Sequence, residues 1–308
     1  MSDLAARRTL AGLWLLDGAL QLFPRMFTMF MVQSVLRPPL LGEPAWLAHL
    51  TQHVLVLGSE HIWWFNLGVA FVQVVLGLGL LLRGGQSTWP YWGSLLWCAA
   101  VWVFGEALGG LPTGQASLIT GAPGSVVLYA VLTCVAWPRR RAASPARRRA
   151  AVALALAGFW ALGAVLQAAP VFFTAPGLSG LLLGNINVYQ PAWLNAWMRR
   201  GAALLAAHPV LANTLLIGAM AALALGLVLP SRWRRWVLVA SIACSALIWV
   251  TGQAFGMLWM AMSTDPNTAP LVVVLAWYAW PERERPSANN GTKSPGRAPG
   301  DYTEPTQA

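Results

Sequence analysis

Gly105–Gly124, GEALGGLPTGQASLITGAPG, is a polar, glycine-rich interruption in a chain that is otherwise hydrocarbon-like, and Gly252–Pro270, GQAFGMLWMAMSTDPNTAP, is another. A Trp-Val pair precedes each (Trp102-Val103, Trp249-Val250), and an apolar run ending in Trp-Pro follows each (Trp137-Pro138, Trp280-Pro281). Working outward, Ala11-Gly12-Leu13-Trp14 recurs as Ala157-Gly158-Phe159-Trp160, and Leu20-Gln21 with Pro24 as Leu166-Gln167 with Pro170. Pro44-Ala45-Trp46-Leu47 recurs as Pro191-Ala192-Trp193-Leu194, and His61 and Asn66 as His208 and Asn213. The spacing is 146 residues for the first of these and 147 for the later ones. Agreement at a nearly fixed offset marks an internal duplication. The copies are 1–138 and 150–281. The basic linker 139–149, RRRAASPARRR, joins them, and a tail of residues 282–308 follows. The tail is rich in Pro, Ser, Gly and Asn and has no apolar face to bury, which predicts disorder.

Of 308 residues, 57% are hydrophobic and 10% charged, and the mean hydropathy is +0.57. A soluble domain carries roughly a quarter of its residues as charges, so the composition points to a protein whose partner is the lipid bilayer. The net charge of +10 does not indicate nucleic acid, because the arginines stand at the ends of apolar runs, where topology determinants belong. Cys98, Cys134 and Cys244 are far apart within such runs, the placement of small buried hydrophobes rather than of a disulfide or metal framework.

The expected fold is all-α and integral to the membrane. Helices are predicted near 9–30, 62–83, 89–108 and 122–137, and again near 151–172, 208–230, 235–256 and 268–280. Four crossings per copy give eight helices in two parallel-repeat four-helix bundles. Arg7, Arg8, Arg83, the linker arginines, Arg232, Arg234, Arg235, Arg283 and Arg285 then share one side, and Arg25, Arg37, Arg199 and Arg200 the other. The positive-inside rule makes both termini cytoplasmic, with the chain in the inner (plasma) membrane. Pro44 and Pro191 open segments that read as interfacial helices on the outer surface. Leu271–Trp280 is too short for the roughly 20 residues of a spanning helix. The polar segment before it is therefore expected to enter the membrane region as a helix cap or re-entrant loop, which such a depth tolerates only against protein or a wet cavity.

Charge within apolar helices is costly and points to sites. Trp14, Asp17, Gln21 and Arg25 share one face at helical spacing, and Arg25 and Glu106 are predicted at similar depth near the outer interface. In the second copy Asp17, Arg25 and Glu106 become Gly163, Val171 and Gln253, a joint loss that predicts an Arg25–Glu106 pair. The charged site is then Asp17, Gln21, Arg25 and Glu106. The polar candidates are His61, Asn66, Thr113, Gln115, Thr120, His208, Asn213, Gln253 and Asp265, with interhelical hydrogen bonding as the competing role. His49 and His53, spaced i, i+4, have a metal-chelating spacing. With Glu60, His61 and the methionines Met26, Met29, Met31, Met257, Met260 and Met262 they would suit copper; interfacial packing is the competing account. Pro24 and Pro170 are expected to kink the outer part of the first helix of each copy.

Four helices per unit, a glycine-rich first helix with a basic residue near its outer end (Gly18, Arg25), and the loop pattern GExLGG…TG…TGAPG resemble the DoxX/DoxD-like membrane proteins. That resemblance implies a small, non-catalytic membrane subunit that serves a redox enzyme and binds a small or quinone-like molecule near the outer face. Members typically have one four-helix unit, so the duplication departs from the pattern. Two other readings stand beside it: a small-solute or proton-coupled transporter with Asp17 and Glu106 as coupling carboxylates, and a structural or assembly protein.

Overall fold

The computed structural model describes residues 3–138, 144–229, 231–261 and 263–281. The tail and residues 139–143 of the linker lie outside them, as does Met262. The described residues form helices and loops without a strand. In chain order they are α1 (Asp3–Gln21), the single turn α2 (Met29–Met31), α3 (Ala45–Glu60), α4 (Ile62–Leu82), α5 (Trp89–Phe104) and α6 (Ser125–Ala136). Then follow α7 (Pro145–Gln167), α8 (Ala175–Leu183), α9 (Ala192–Ala207), α10 (Pro209–Val228), α11 (Ser231–Thr251) and α12 (Thr268–Tyr278). Among the described residues, four apolar stretches are long enough to cross a bilayer, namely α4, α7, α10 and the run Trp233–Met260. A fifth is present if α5 and the 3-10 stretch Ala107–Thr113, bent by 43° from it, act together. The protein is an all-helical membrane protein.

In the first half α1 lies along α4, α4 against α5 and α5 against α6, and α6 closes back on α1; α7, α10, α11 and α12 repeat that ring. The two rings meet at the short helices, with α6 touching both α7 and α12. The central core holds Trp14, Tyr91, Tyr129, Leu132, Leu156, Trp160 and Leu275, all essentially without solvent exposure. Glycine lets α1 and α4 approach closely: a Cβ on Gly77 would stand 3.0 Å from the Ala11 carbonyl oxygen and 2.7 Å from Leu15 Cγ. Between membrane helices, where lipid is as apolar as leucine, such close packing is a main source of association.

The duplication is visible bond by bond. Trp14 Nε1 donates to Ser94 Oγ (3.1 Å) and Trp160 Nε1 to Ser241 Oγ (2.8 Å). Asn66 Nδ2 donates to the Gln21 carbonyl (2.6 Å) and Asn213 Nδ2 to the Gln167 carbonyl (3.0 Å). Trp102 Nε1 reaches the Pro123 carbonyl (2.8 Å) and Trp249 Nε1 that of Pro266 (3.0 Å). Each of these bonds ties two elements that are remote in sequence, so the copies share a packing scheme and not only a hydropathy profile.

Exposed tryptophans mark both ends of the helices. Trp63 and Trp64 begin α4, whereas Trp89 and Trp92 begin α5, one helix length away. At 1.5 Å per residue, the 21 residues of α4 rise about 31 Å, the thickness of a bilayer's hydrocarbon core. Indole rings favour the headgroup level.

Three expectations change. The first helix of each copy stops at Gln21 or Gln167, short of 30 and 172. Pro24 and Pro170 therefore do not kink it; each starts a separate 3-10 turn, Pro24–Phe27 and Pro170–Phe173, where a missing N–H costs nothing. Pro44 and Pro191 stand at the N-cap of α3 and α9, one residue before the first turn. The short fourth helices are as expected, 12 and 11 residues long, and Asn267 caps the second by accepting from Thr268 N (2.7 Å).

Candidate functional site

At the end of the first ring where α1 and α5 finish and α4 and α6 begin, the helices leave a cavity of about 260 Å³. Asp17 and Gln21 reach it from α1, Gln73 from α4, Trp97 from α5, Tyr129 from α6, and Glu106 from the turn after α5. Met31, Val35, Leu36 and Val54, from the segment between α1 and α4, form an apolar side, and Thr264 and Asp265 of the second copy complete the wall.

Glu106 is aimed by an unusual turn. Directly after it, Ala107, Leu108, Gly109 and Gly110 all have left-handed backbone, with φ of 46°, 58°, 66° and 71°. After Gln253, Ala254, Phe255, Gly256 and Met257 repeat this with φ of 46°, 57°, 65° and 57°. Left-handed residues other than glycine cost roughly 1–2 kcal/mol each, and such strain persists only where the surroundings over-determine it. Here Gly109 N donates to the Glu106 carbonyl (2.8 Å), Trp102 pins Pro123 from the other side, and any Cβ on Gly109 would collide with the Pro123 carbonyl.

So held, Glu106 does two things. Its Oε1 accepts from Ser125 N (3.0 Å) and Ser125 Oγ (2.8 Å). This caps the first turn of α6 by taking up a backbone N–H that the helix itself leaves without a partner. Its Oε2 is buried with no hydrogen-bond partner. Gln253 performs the capping half of this task in the second copy, accepting from Ala269 N (3.3 Å) and donating to Thr268 Oγ1 (2.7 Å).

The free oxygen has company. Asp17 Oδ1, Gln21 Oε1, Gln73 Oε1, Trp97 Nε1 and Tyr129 OH are also buried without a hydrogen-bond partner, and all belong to residues that line this cavity. Asp17 is 1%, Gln21 3%, Gln73 6% and Tyr129 0% exposed. The Tyr129 hydroxyl and the Asp17 carboxyl face one another closely enough to interact, though not at full hydrogen-bond geometry. A buried polar group left unpaired costs about 1–3 kcal/mol, so six on one cavity is a concentration that packing alone does not favour. Asp265 adds a third carboxylate, already held by Asn267 N (2.6 Å) and Thr264 Oγ1 (3.1 Å). Among the described residues lining the cavity none is Lys, Arg or His.

In the second copy Leu118 enters the corresponding space. Asp17, Gln73, Trp97, Glu106 and Tyr129 have Gly163, Met220, Cys244, Gln253 and Val272 as counterparts. Gln167, the counterpart of Gln21, has its side chain fully engaged. Its Nε2 donates to Asn213 Oδ1 (2.8 Å), and its Oε1 accepts from Ser117 Oγ (2.8 Å). Ser117 and Leu118 come from the first copy's loop, and Leu118 packs directly on Gly163. Each copy's polar loop thus crosses to the other: one plugs, the other walls.

Of the residues expected at the site, Asp17, Gln21, Glu106 and Asp265 meet in the cavity. Arg25 does not pair with Glu106. Because α1 ends at Gln21, Arg25 leaves the helical face and its Nη1 donates to the Met260 carbonyl (3.1 Å), while the guanidinium stacks 4.1 Å from the centre of the Tyr189 ring. Asn66 and Asn213 hold the first-helix carbonyls, and Gln253 holds α12. Thr113 bonds the Gly110 carbonyl, Gln115 N bonds Thr113 Oγ1, and Thr120 bonds the Ser117 carbonyl, all within the loop. His61 and His208 are exposed at the junctions before α4 and α10.

His49 and His53 are exposed on α3, their rings edge to face at 5.7 Å. Met26, Met31 and Met260 form a small core with Phe27, Phe30 and Phe65 instead of converging on the histidines. Among the described residues no group of three or more His, Cys, Asp or Glu is placed to hold a metal ion.

Gln73, Trp97 and Tyr129 are the site residues that the sequence reading passes over. Each sits alone on an apolar helix, where a core role is the ordinary reading. The signal available was their loss in the repeat, to Met220, Cys244 and Val272. Comparison of the chain with protein-family models, curated proteins and solved structures finds no match.

Proposed function

We propose that the chain is a polytopic inner-membrane protein of eight crossings, with both termini cytoplasmic. Its first copy binds one small molecule near the outer face, and its second copy serves as scaffold and wall. The observation that carries this reading is the gathering of six unpartnered polar atoms on one cavity of the first copy, where the others among the described residues are scattered. A purely structural bundle would gain from filling that cavity, as the second copy does with Leu118. The placement of arginines supports the topology. Arg7 packs beside Gly84 and Gly85 at the end of the bundle away from the cavity, whereas Arg25 lies at the cavity end.

In the DoxX-like reading the protein is a non-catalytic subunit serving a redox partner, and the cavity takes a quinone headgroup on the Tyr129 hydroxyl and the Trp97 indole N–H. Asp17, Glu106 and Asp265 favour a second reading, the transport of a small solute coupled to protons, since intramembrane carboxylates commonly serve such pathways. Mild detergent extraction followed by native mass spectrometry and an absorption spectrum tests the proposal. A small molecule retained by the wild-type chain and absent from Asp17→Gly/Glu106→Gln supports it; retention by both overturns the site. Co-purification of an oxidoreductase supports the subunit reading, and solute-dependent flux in proteoliposomes supports the transporter.

A further inference from the structure

The unpartnered atoms also specify what they lack. Four are acceptors, Asp17 Oδ1, Gln21 Oε1, Gln73 Oε1 and Glu106 Oε2; Trp97 Nε1 is a donor, and the Tyr129 hydroxyl can be either. A ligand that satisfies them must bring hydrogen atoms more than lone pairs. Three carboxylates look onto the same space, and none of the described lining residues carries positive charge. Carboxylates gathered in a low-dielectric cavity repel one another, and a cation between them offsets that repulsion. The remaining wall is apolar and its aromatic part is Trp14, Phe65, Trp97, Phe104 and Tyr129; ring faces attract organic cations more strongly when water is excluded. At about 260 Å³ the cavity is smaller than the roughly 300–1,000 Å³ of drug-sized pockets.

We infer that the cavity binds a small organic ammonium ion, its N–H groups donating to Asp17, Glu106 and the glutamine carbonyls and its hydrocarbon part lying on the aromatic wall. This deepens the ligand-binding reading and rests on it. A quinone, which offers acceptors alone, would leave the four acceptors unsatisfied.

The test uses the full chain in detergent, with binding followed by isothermal titration calorimetry and by thermal shift. Benzylamine, its neutral isostere benzyl alcohol, tetramethylammonium and duroquinone are the probes. Benzylamine should bind at least about tenfold more tightly than benzyl alcohol, and tetramethylammonium, without N–H donors, should fall between them. Asp17→Gly/Glu106→Gln, which copies residues the second repeat already carries, should remove the preference for the amine. Should that variant lose its native melting transition, Asp17→Asn alone must still weaken benzylamine more than benzyl alcohol. Equal binding of amine and alcohol by the wild type overturns the inference. Tight binding of duroquinone alone overturns it too, but leaves the ligand site standing. If no probe binds and extraction yields no bound molecule, both fall.

Discussion

Leu118 Cδ2 lies 2.6 Å from the position a Cβ would take on Gly163. The first copy's loop therefore fills the place that Asp17 and the cavity occupy in its own half. Leu118→Ala should cost about 2–5 kcal/mol, since a buried leucine is lost and a void remains. Gly163→Ala should cost about 1–3 kcal/mol by overpacking. Together they should cost less than their sum, because the smaller side chain at 118 admits the new methyl. Thermal unfolding in detergent, read as a double-mutant cycle, checks this; simple additivity would show that the two residues do not compete for space.

Arg25 and Glu106 have separate partners, the Met260 carbonyl with the Tyr189 ring and the start of α6. Arg25→Val and Glu106→Gln should accordingly be additive within about 0.5 kcal/mol. Glu106→Gln alone should keep the α6 cap, as Gln253 does for α12, and lower stability by less than about 1 kcal/mol. A strong rescue in the double mutant would reinstate a direct pair.

The left-handed turn makes two neighbouring glycines unequal. Gly109→Ala drives a Cβ into the Pro123 carbonyl, whereas Gly110 has nothing within 4 Å. Gly110→Ala should cost only the backbone penalty, about 1–2 kcal/mol, and Gly109→Ala clearly more. Melting temperatures of the two variants decide it; equal losses would mean that the turn yields freely.

Reporter fusions test topology. Insertions after Gly85 and Arg148 should report cytoplasm, and those near Gly42, Gln115, Asn195 and Pro266 the outer face. An outer-face signal at Arg148 would remove the parallel arrangement of the two copies.

Much of the architecture was legible because the duplication could be read residue by residue, and hydropathy placed α4, α5, α10 and α11 within a few positions. The failures share a cause. Trp14, Asp17 and Gln21 do line one cavity as their spacing implies, but extending that face to Arg25 assumed a helix that stops four residues earlier. The apolar sequence around Phe23 carries no stop signal except Pro24, and a proline is as compatible with a kink as with a new turn. Tyr129 and Gln73 are marked in the sequence by nothing but their loss in the repeat, and their lack of a partner emerges only once the helices are packed.

The crossing of the two loops bears on why one gene encodes both halves. A homodimer of single four-helix units must place the same residue at both equivalent positions, so an aspartate at 17 would recur opposite Leu118, where even a Cβ is crowded. Tandem fusion removes that constraint: one half can lose its acids and accept the plug while the other keeps them and stays open. Asymmetry of this kind is inherited as sequence order, and no exchange of subunits can undo it.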